Sequence, residues 1–428
     1  MVFYYLLFGL STNLESVYYY VALFVIFFLV IMKNILTKKA ADISIRIKPV
    51  DFAPVLMILV WFYGLVLGFF RQNVTEYVIN NFAGMTVYLL YFLMVPYKNQ
   101  SIKIIKILVT ASLIVSVFTI IFFILYFVIG VDWSFISNNP LFGNLMVGGS
   151  STGQKRVFFT GQAVIFTLFT LSLYRILNKK QFLSSLISPS IFEKQGTNYF
   201  LFVISFVSLF FFTASKGNLL GGIIIFLILP FVTLKMSEIT IQKRKSMIKN
   251  IIIYLFIFAT LTIVLLITGY SNIVSVIFDK NDIANVDRYD QLGYLLKDLK
   301  FFGNGLGSII TGFTRNEEKP YGFELIYLNI FHKFGIFGFI IIGIYLYTIY
   351  KIFKLFRKDH IDFRIPLAAL GCMGFLIPAF GNPLLFSAQA VMLHCVSLYF
   401  IRTEDEYIDL VPIKNFLLPA TKTSDNKK

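Results

Sequence analysis

Residues 198–235 read NYFLFVISFVSLFFFTASKGNLLGGIIIFLILPFVTLK. A single helix over this stretch would run about 57 Å, against a bilayer hydrocarbon core of roughly 30 Å. The run must therefore break, and Thr213-Ala214-Ser215-Lys216-Gly217-Asn218 is its only polar, glycine-bearing place to do so. Two membrane-crossing helices joined by a tight hairpin follow, with Lys216 at the tip.

The same pattern extends in both directions. Apolar runs of spanning length lie near 15–33, 52–70, 78–96, 104–130, 157–176, 198–213, 217–235, 250–269, 323–352, 363–380 and 384–401. The chain reads as an all-α polytopic membrane protein with about 11 transmembrane helices (11–12, since residues 1–10 are apolar enough to add an element). It forms one integral membrane domain over 1–428. Composition agrees, with 57% hydrophobic and 14% charged residues, where a soluble chain carries about 25% charged. Residues 1–10 lack the basic start and small-residue cleavage site of a signal peptide. Cys372 and Cys395 sit within apolar segments and read as buried small hydrophobes.

The net charge of +16 is scattered through short loops without a basic face on a folded domain, which argues against nucleic acid as a partner. Of the 38 Lys and Arg, 27 fall in one alternating set of flanks, at 33–50, 97–106, 175–197, 235–249, 351–364 and 402–428. The positive-inside rule assigns that set, including a tail at 403–428, to the cytoplasm. The loops 131–156 and 270–322, the second preceding the ninth span, then face outward.

Ionisable groups are costly in lipid, so the place where a membrane protein gathers them is where its chemistry is expected. Here that place is 285–338, beginning NVDRYDQLGYLLKDLKFFGNGLGS. Within 287–302, Tyr289, Leu292, Leu295, Leu296, Leu299 and Phe302 recur at helical spacing. Such a helix would lie in the interface plane with its apolar side toward lipid or the spanning bundle. It reads either as a surface lid or as a cover over a lipid-linked substrate. Arg288 opens it, and a guanidinium suits a two-pronged grip on phosphate or pyrophosphate oxygens.

The ninth span, 323–352, is longer than the bilayer requires, so its first residues stand in the wetter outer end. Glu324 there reads as a general base or as a helix-start carboxylate facing the dipole. On a helix beginning at Phe323, Glu324, Leu328 and His332 share a side and Lys333 points opposite. His332 reads as polar packing or as a substrate contact. Three dispersed histidines supply no metal-ligand constellation. Gly303-Asn304-Gly305-Leu306-Gly307 is not a nucleotide cradle, for it belongs to no strand–loop–helix unit and faces outward. It reads as a flexible turn that lets backbones approach closely.

In order along the chain, these are Ser215-Lys216-Gly217, Arg288 ahead of an amphipathic helix, Phe302–Gly307, and Glu324-x-x-Tyr327-Leu328 with Gly335 and Gly338. That ordered set resembles the O-antigen polymerase and ligase family, over about 200–355. Many members carry Ser-Arg-Gly where this chain has Ser215-Lys216-Gly217. The ligase branch opens its last motif with His-Asn, where Glu324-Leu325 stand here, and the departure favours the polymerase branch. Arg156 resembles the basic residue that relatives place before the span after the first outer loop.

The resemblance implies a helical bundle like that of the lipid-linked-sugar (GT-C-like) glycosyltransferases, without metal or other cofactor, in the bacterial plasma membrane. It implies a multi-pass enzyme with an extracytoplasmic active site that polymerises undecaprenyl-pyrophosphate-linked repeat units into O-antigen, capsule or exopolysaccharide. Arg288 and Glu324 would be its catalytic residues, and Arg156, Lys216 and His332 would bind pyrophosphate or glycan. A chain-length regulator is a plausible partner on the same ground. The alternatives are a glycan ligase and a flippase or exporter of lipid-linked oligosaccharide. The last should show internal repeats and polar groups near the membrane midplane, which the near charge-free spans lack.

Overall fold

The computed structural model describes residues 47–95, 100–131, 146–149, 155–158, 160–178, 195–213, 215–234, 283–314, 320–358 and 361–404, with single positions elsewhere. The elements are α1 (Phe52–Phe70), α2 (Thr75–Met94, with a 3-10 stretch at its centre) and α3 (Ser101–Ile129). A hairpin of β1 (Met146–Gly149) and β2 (Lys155–Phe158) precedes α4 (Ile165–Asn178). Then come α5 (Gln195–Val207, extended by a π turn to Phe212), α6 (Lys216–Leu234) and α7 (Ile283–Lys297). The last four are α8 (Ile326–Phe334), α9 (Gly338–Leu355), α10 (Arg364–Cys372, continued by 3-10 turns to Gly381) and α11 (Ala388–Glu404).

Among the described residues five helical stretches are long and apolar enough to cross a membrane, and three more are apolar but shorter. This is a helical membrane protein. The break expected at 213–218 falls between Phe212 and Lys216. The expected spans at 15–33 and 250–269, and the tail beyond Glu404, lie outside the described residues. One departure from an all-helical chain is the antiparallel β1–β2 pair, with Gly148 opposite Arg156. A strand reading Met146-Val147-Gly148-Gly149 has no alternation of apolar and polar residues to announce it. The hairpin is anchored through buried Val157, which packs with Phe122 near the end of α3.

α1 shows how the outer helices divide their surface. Ala53, Met57, Val60, Trp61, Gly64 and Gly68 are buried, while Phe52, Leu56, Leu59, Phe62, Val66 and Phe69 are exposed. Both faces are apolar, as expected where one meets protein and the other lipid. α11 differs, being buried from Ala388 through Ile401. Its histidine is matched inside the bundle, while the Gln389 side-chain nitrogen is buried without a hydrogen-bond partner among the described residues. Thr348 donates its hydroxyl to Ile344 O at 2.9 Å, so its oxygen accepts from His394 Nε2–H at 2.9 Å. His394 Nδ1 then accepts from the Tyr88 hydroxyl at 2.6 Å. A histidine without neighbours in sequence thus acquires a complete set of partners from α2 and α9.

The two ends of the bundle are chemically distinct. At one, Arg402 Nε and the Tyr91 hydroxyl both donate to Asp51 Oδ1, at 2.7 and 2.5 Å. Lys48 Nζ donates to Arg402 O at 2.7 Å, and Ser101 meets Thr403. The flanks around 48, 101, 358 and 402 therefore share one end, here termed the basic end, as their alternation along the chain requires. The opposite end, the loop end, carries α7 and the hairpin tip at Lys216.

Candidate active site at the loop end

α7 is displaced from the predicted bounds, and of the two orientations left open for its apolar side, lipid or the bundle, most of the stripe faces away from the bundle. It spans Ile283–Lys297 rather than 287–302, and Asp298 N closes it onto Tyr294 O and Leu295 O. Of the predicted apolar stripe, Leu295 alone is buried, against Ile310 and Phe323. Tyr289, Leu292, Leu296, Leu299 and Phe302 are exposed. Arg288 and Gln291 face the bundle instead, while Asp290 and Lys297 are exposed. Gln291 is fully buried, and its Oε1 accepts from Leu325 N at 2.8 Å.

Arg288, one turn before Gln291, donates from Nε to Glu324 Oε2 at 2.9 Å and from Nη1 to Asn285 Oδ1 at 3.3 Å. The pair is half-open, with side-chain exposures of 28% and 19%. Glu324 is not on a helix. Ile326 N donates to Glu324 O, and α8 begins only at Ile326. The carboxylate is thus freed from helical direction and turns to Arg288, so neither the helix-start arrangement nor the shared side with His332 is formed. The guanidinium lies beside Gly381, whose missing Cβ would sit 3.6 Å from Nε and Nη2.

Gly381 connects the pair to the hairpin tip. It ends the turn that starts at Pro378, and Gly217 packs so tightly there that a Cβ would fall 2.6 Å from Pro378 Cα. Lys216 begins α6 immediately before that contact. Tyr327 ties α8 to the same turn, donating its hydroxyl to Leu376 O at 2.7 Å and packing on Phe380. Arg156 is held on β2 at this end by backbone pairing. Arg288, Glu324 and the Lys216 backbone thus converge through the Pro378–Gly381 turn.

The ninth span is not one straight helix. Gly335 adopts φ 56, ψ −135, and α9 starts afresh at Gly338. Into this corner fits the glycine loop, which is clamped rather than flexible. Asn304 N donates to His332 O at 2.8 Å, Gly305 N to Lys333 O at 2.9 Å, and Leu306 N to Gly64 O at 2.9 Å. Asn73 Nδ2 donates to Asn304 O and Leu306 O, while Gly307 N reaches Asn81 Oδ1. Gly64 lies about 9 Å from the end of α1 by helical rise. Irregular backbone at such depth is tolerated only where its polar groups are met by protein, and here they are. Gly64 and Gly68, spaced as a small-x-x-x-small pair, receive a loop where such pairs usually receive a helix.

The other ionisable groups of α8 are fasteners. His332 is fully buried; Nε2 meets Asp298 Oδ2 at 2.9 Å, Nδ1 meets Ser308 Oγ at 3.4 Å, and Phe323 stands edge-on. Of the two readings of His332, this geometry fits polar packing. Lys333, overlooked as a candidate, is also fully buried. Its Nζ donates to Asn81 Oδ1 at 2.6 Å and Tyr321 O at 3.2 Å. Only its oddness in an apolar run marked it in the sequence; its acceptor lies 252 positions away. No group of metal-ligating side chains occurs among the described residues. Cys372 and Cys395 are free and buried.

The fold and site define a membrane-embedded helical protein with a charged, glycine-clamped cluster at one end. Compared with family models, curated proteins and solved structures, the chain matches none.

Proposed function

We propose that this protein polymerises undecaprenyl-pyrophosphate-linked oligosaccharide repeat units into a surface polysaccharide on the outer side of the bacterial plasma membrane. The observation that carries the reading is the Arg288–Glu324 pair, half-open at 2.9 Å and joined through the Pro378–Gly381 turn to the start of α6 at Lys216. Residues that carry the family resemblance are far apart in sequence, and their convergence at one end supports it. The distribution of basic flanks supports the outward assignment of that end.

The donor is a growing glycan on undecaprenyl pyrophosphate, and the acceptor is a single lipid-linked repeat unit. An acceptor sugar hydroxyl forms a bond to the donor's anomeric carbon. The bond from that carbon to pyrophosphate oxygen breaks, and its electron pair leaves with undecaprenyl pyrophosphate. The hydroxyl proton passes to the Glu324 carboxylate as general base. Arg288, with Lys216 and Arg156, supplies positive charge around the departing pyrophosphate. Pyrophosphate binding at Arg288 competes with Glu324, so donor arrival releases the carboxylate that the acceptor needs.

The test is the size ladder of lipid-linked glycans in cells lacking the gene. Single repeat units without longer chains are expected. Full-length polymer stranded on its carrier would identify a ligase instead, and repeat units trapped on the cytoplasmic side would identify a flippase or exporter.

A further inference from the structure

The basic end holds two adjoining cavities that the proposed reaction does not use. The first, about 490 Å³, is lined by Tyr350, Lys351, Phe353, Lys354, Arg357 and Lys358, together with Leu355 and Glu404. The second, about 250 Å³, is lined by Ile228, Phe231 and Val232 of α6, by Phe353 of α9 and by Phe356 and Arg357 just beyond its end. Phe353 and Arg357 belong to both, so a basic chamber opens beside an apolar groove between two helices.

The side chains suit the two parts of an amphipathic anion. Lys354 is exposed on the last turn of α9, and Arg357 and Lys358 are exposed in the turn that follows it. Lys351 lies over the Tyr347 ring at 5.6 Å, and Lys358 Nζ caps Glu404 O. Arg357 stands where the basic chamber meets the groove. Phe231 is exposed within the groove, next to buried Val232. Basic pockets between spanning helices favour lipid phosphate by charge, while an apolar groove favours acyl chains.

We infer that these cavities form one binding site for an anionic phospholipid, its phosphate headgroup between Lys354 and Arg357 and an acyl chain along Ile228, Phe231 and Phe353. Charge complementarity selects the anionic headgroup, and the adjoining groove selects a lipid over a free anion. The site is on the opposite end of the bundle from Arg288 and stands whether or not the polymerase reading does.

The experiment uses the purified full-length chain in neutral detergent, titrated with dioleoyl-phosphatidylglycerol, dioleoyl-phosphatidylcholine or inorganic phosphate. Bound lipid is read by native mass spectrometry, and thermal unfolding is followed in parallel. Phosphatidylglycerol is expected to bind and raise Tm, with phosphatidylcholine and inorganic phosphate doing neither. Lys354→Ala with Arg357→Ala should weaken phosphatidylglycerol roughly tenfold or more, since each cation near a lipid headgroup contributes measurably. Both side chains are exposed, so the lipid-free Tm should hold. Lys103→Ala with Lys106→Ala removes two exposed cations from α3 near the same end and should leave binding unchanged. An equal loss in that control would reduce the effect to general surface charge and overturn the site. Equal retention of phosphatidylcholine, or binding of phosphate alone, would likewise overturn it.

Discussion

Gly303 and Gly335 meet back to back at the corner between α8 and α9. A Cβ on Gly303 would lie 2.6 Å from Gly335 N, and one on Gly335 would lie 2.4 Å from Gly303 N. Both residues also have positive φ, at 83 and 56. Gly303→Ala and Gly335→Ala should each cost about 1–3 kcal/mol from backbone strain alone, with the steric clash adding to it. Thermal unfolding in detergent should show a clear drop for both. Gly293→Ala, whose Cβ would meet nothing within 4 Å, should not lower Tm.

On the proposed polymerase function, substitutions at the Arg288–Glu324 pair distinguish chemistry from scaffolding. Arg288→Ala and Glu324→Gln should each abolish long polymer while the protein remains in the membrane. The exchange Arg288→Glu with Glu324→Arg restores an ion pair but puts the cation on the wrong backbone. Polymer length in cells should stay at one repeat unit in the exchanged variant. Recovery of normal lengths would mean the pair is only structural.

Lys333 and Asn81 test the buried clamp. Asn81→Leu leaves Lys333 Nζ in the interior without its 2.6 Å acceptor, a loss of about 3 kcal/mol, the upper end of the cost of an unmet buried donor. Lys333→Met removes the donor and should cost less, roughly 1–3 kcal/mol, for the acceptors it strands. The double variant should be more stable than Asn81→Leu alone. Unfolding temperatures of the four proteins give the coupling directly.

His394 makes the complementary case. His394→Leu removes the bridge between Tyr88 and Thr348 and should lower stability by about 1–3 kcal/mol. Because this network is enclosed in the bundle, polymer length in cells should be unchanged wherever the protein accumulates to normal levels. Shortened chains at normal protein level would bring the network into the reaction.

The spans were legible because lipid demands a long apolar helix whatever its neighbours. Most described helices begin and end within a few residues of the runs read from hydropathy, and the Lys216 hairpin falls where a polar, glycine-bearing break was required; the run at 157–176 is the exception, for its first residues belong to β2 and its α-helix begins at Ile165. The glycines at 303, 305 and 307 were legible as a site of close approach. Their partners, Gly64 and Gly68, were not, because a pair of glycines in an apolar helix does not specify what it receives. The orientation of α7 was left open for a related reason. Its apolar stripe suits lipid as well as the bundle, and the structure turns Arg288 and Gln291 inward to meet Glu324 and Leu325 N. Which side of such a helix faces the protein depends on polar partners that the stripe itself does not reveal.

The sequence by itself determined the membrane-embedded helical class, the alternation of basic flanks and the concentration of charge in 285–338. Each depends on composition and spacing along the chain, and each is enforced locally by the cost of placing polar groups in hydrocarbon. Only the tertiary structure decided that Glu324 pairs with Arg288, that Lys333 answers Asn81, and that Gly381 joins the pair to the Lys216 tip. Those contacts join residues tens to hundreds of positions apart, and a side chain's direction at a helix break follows from the backbone that packs against it.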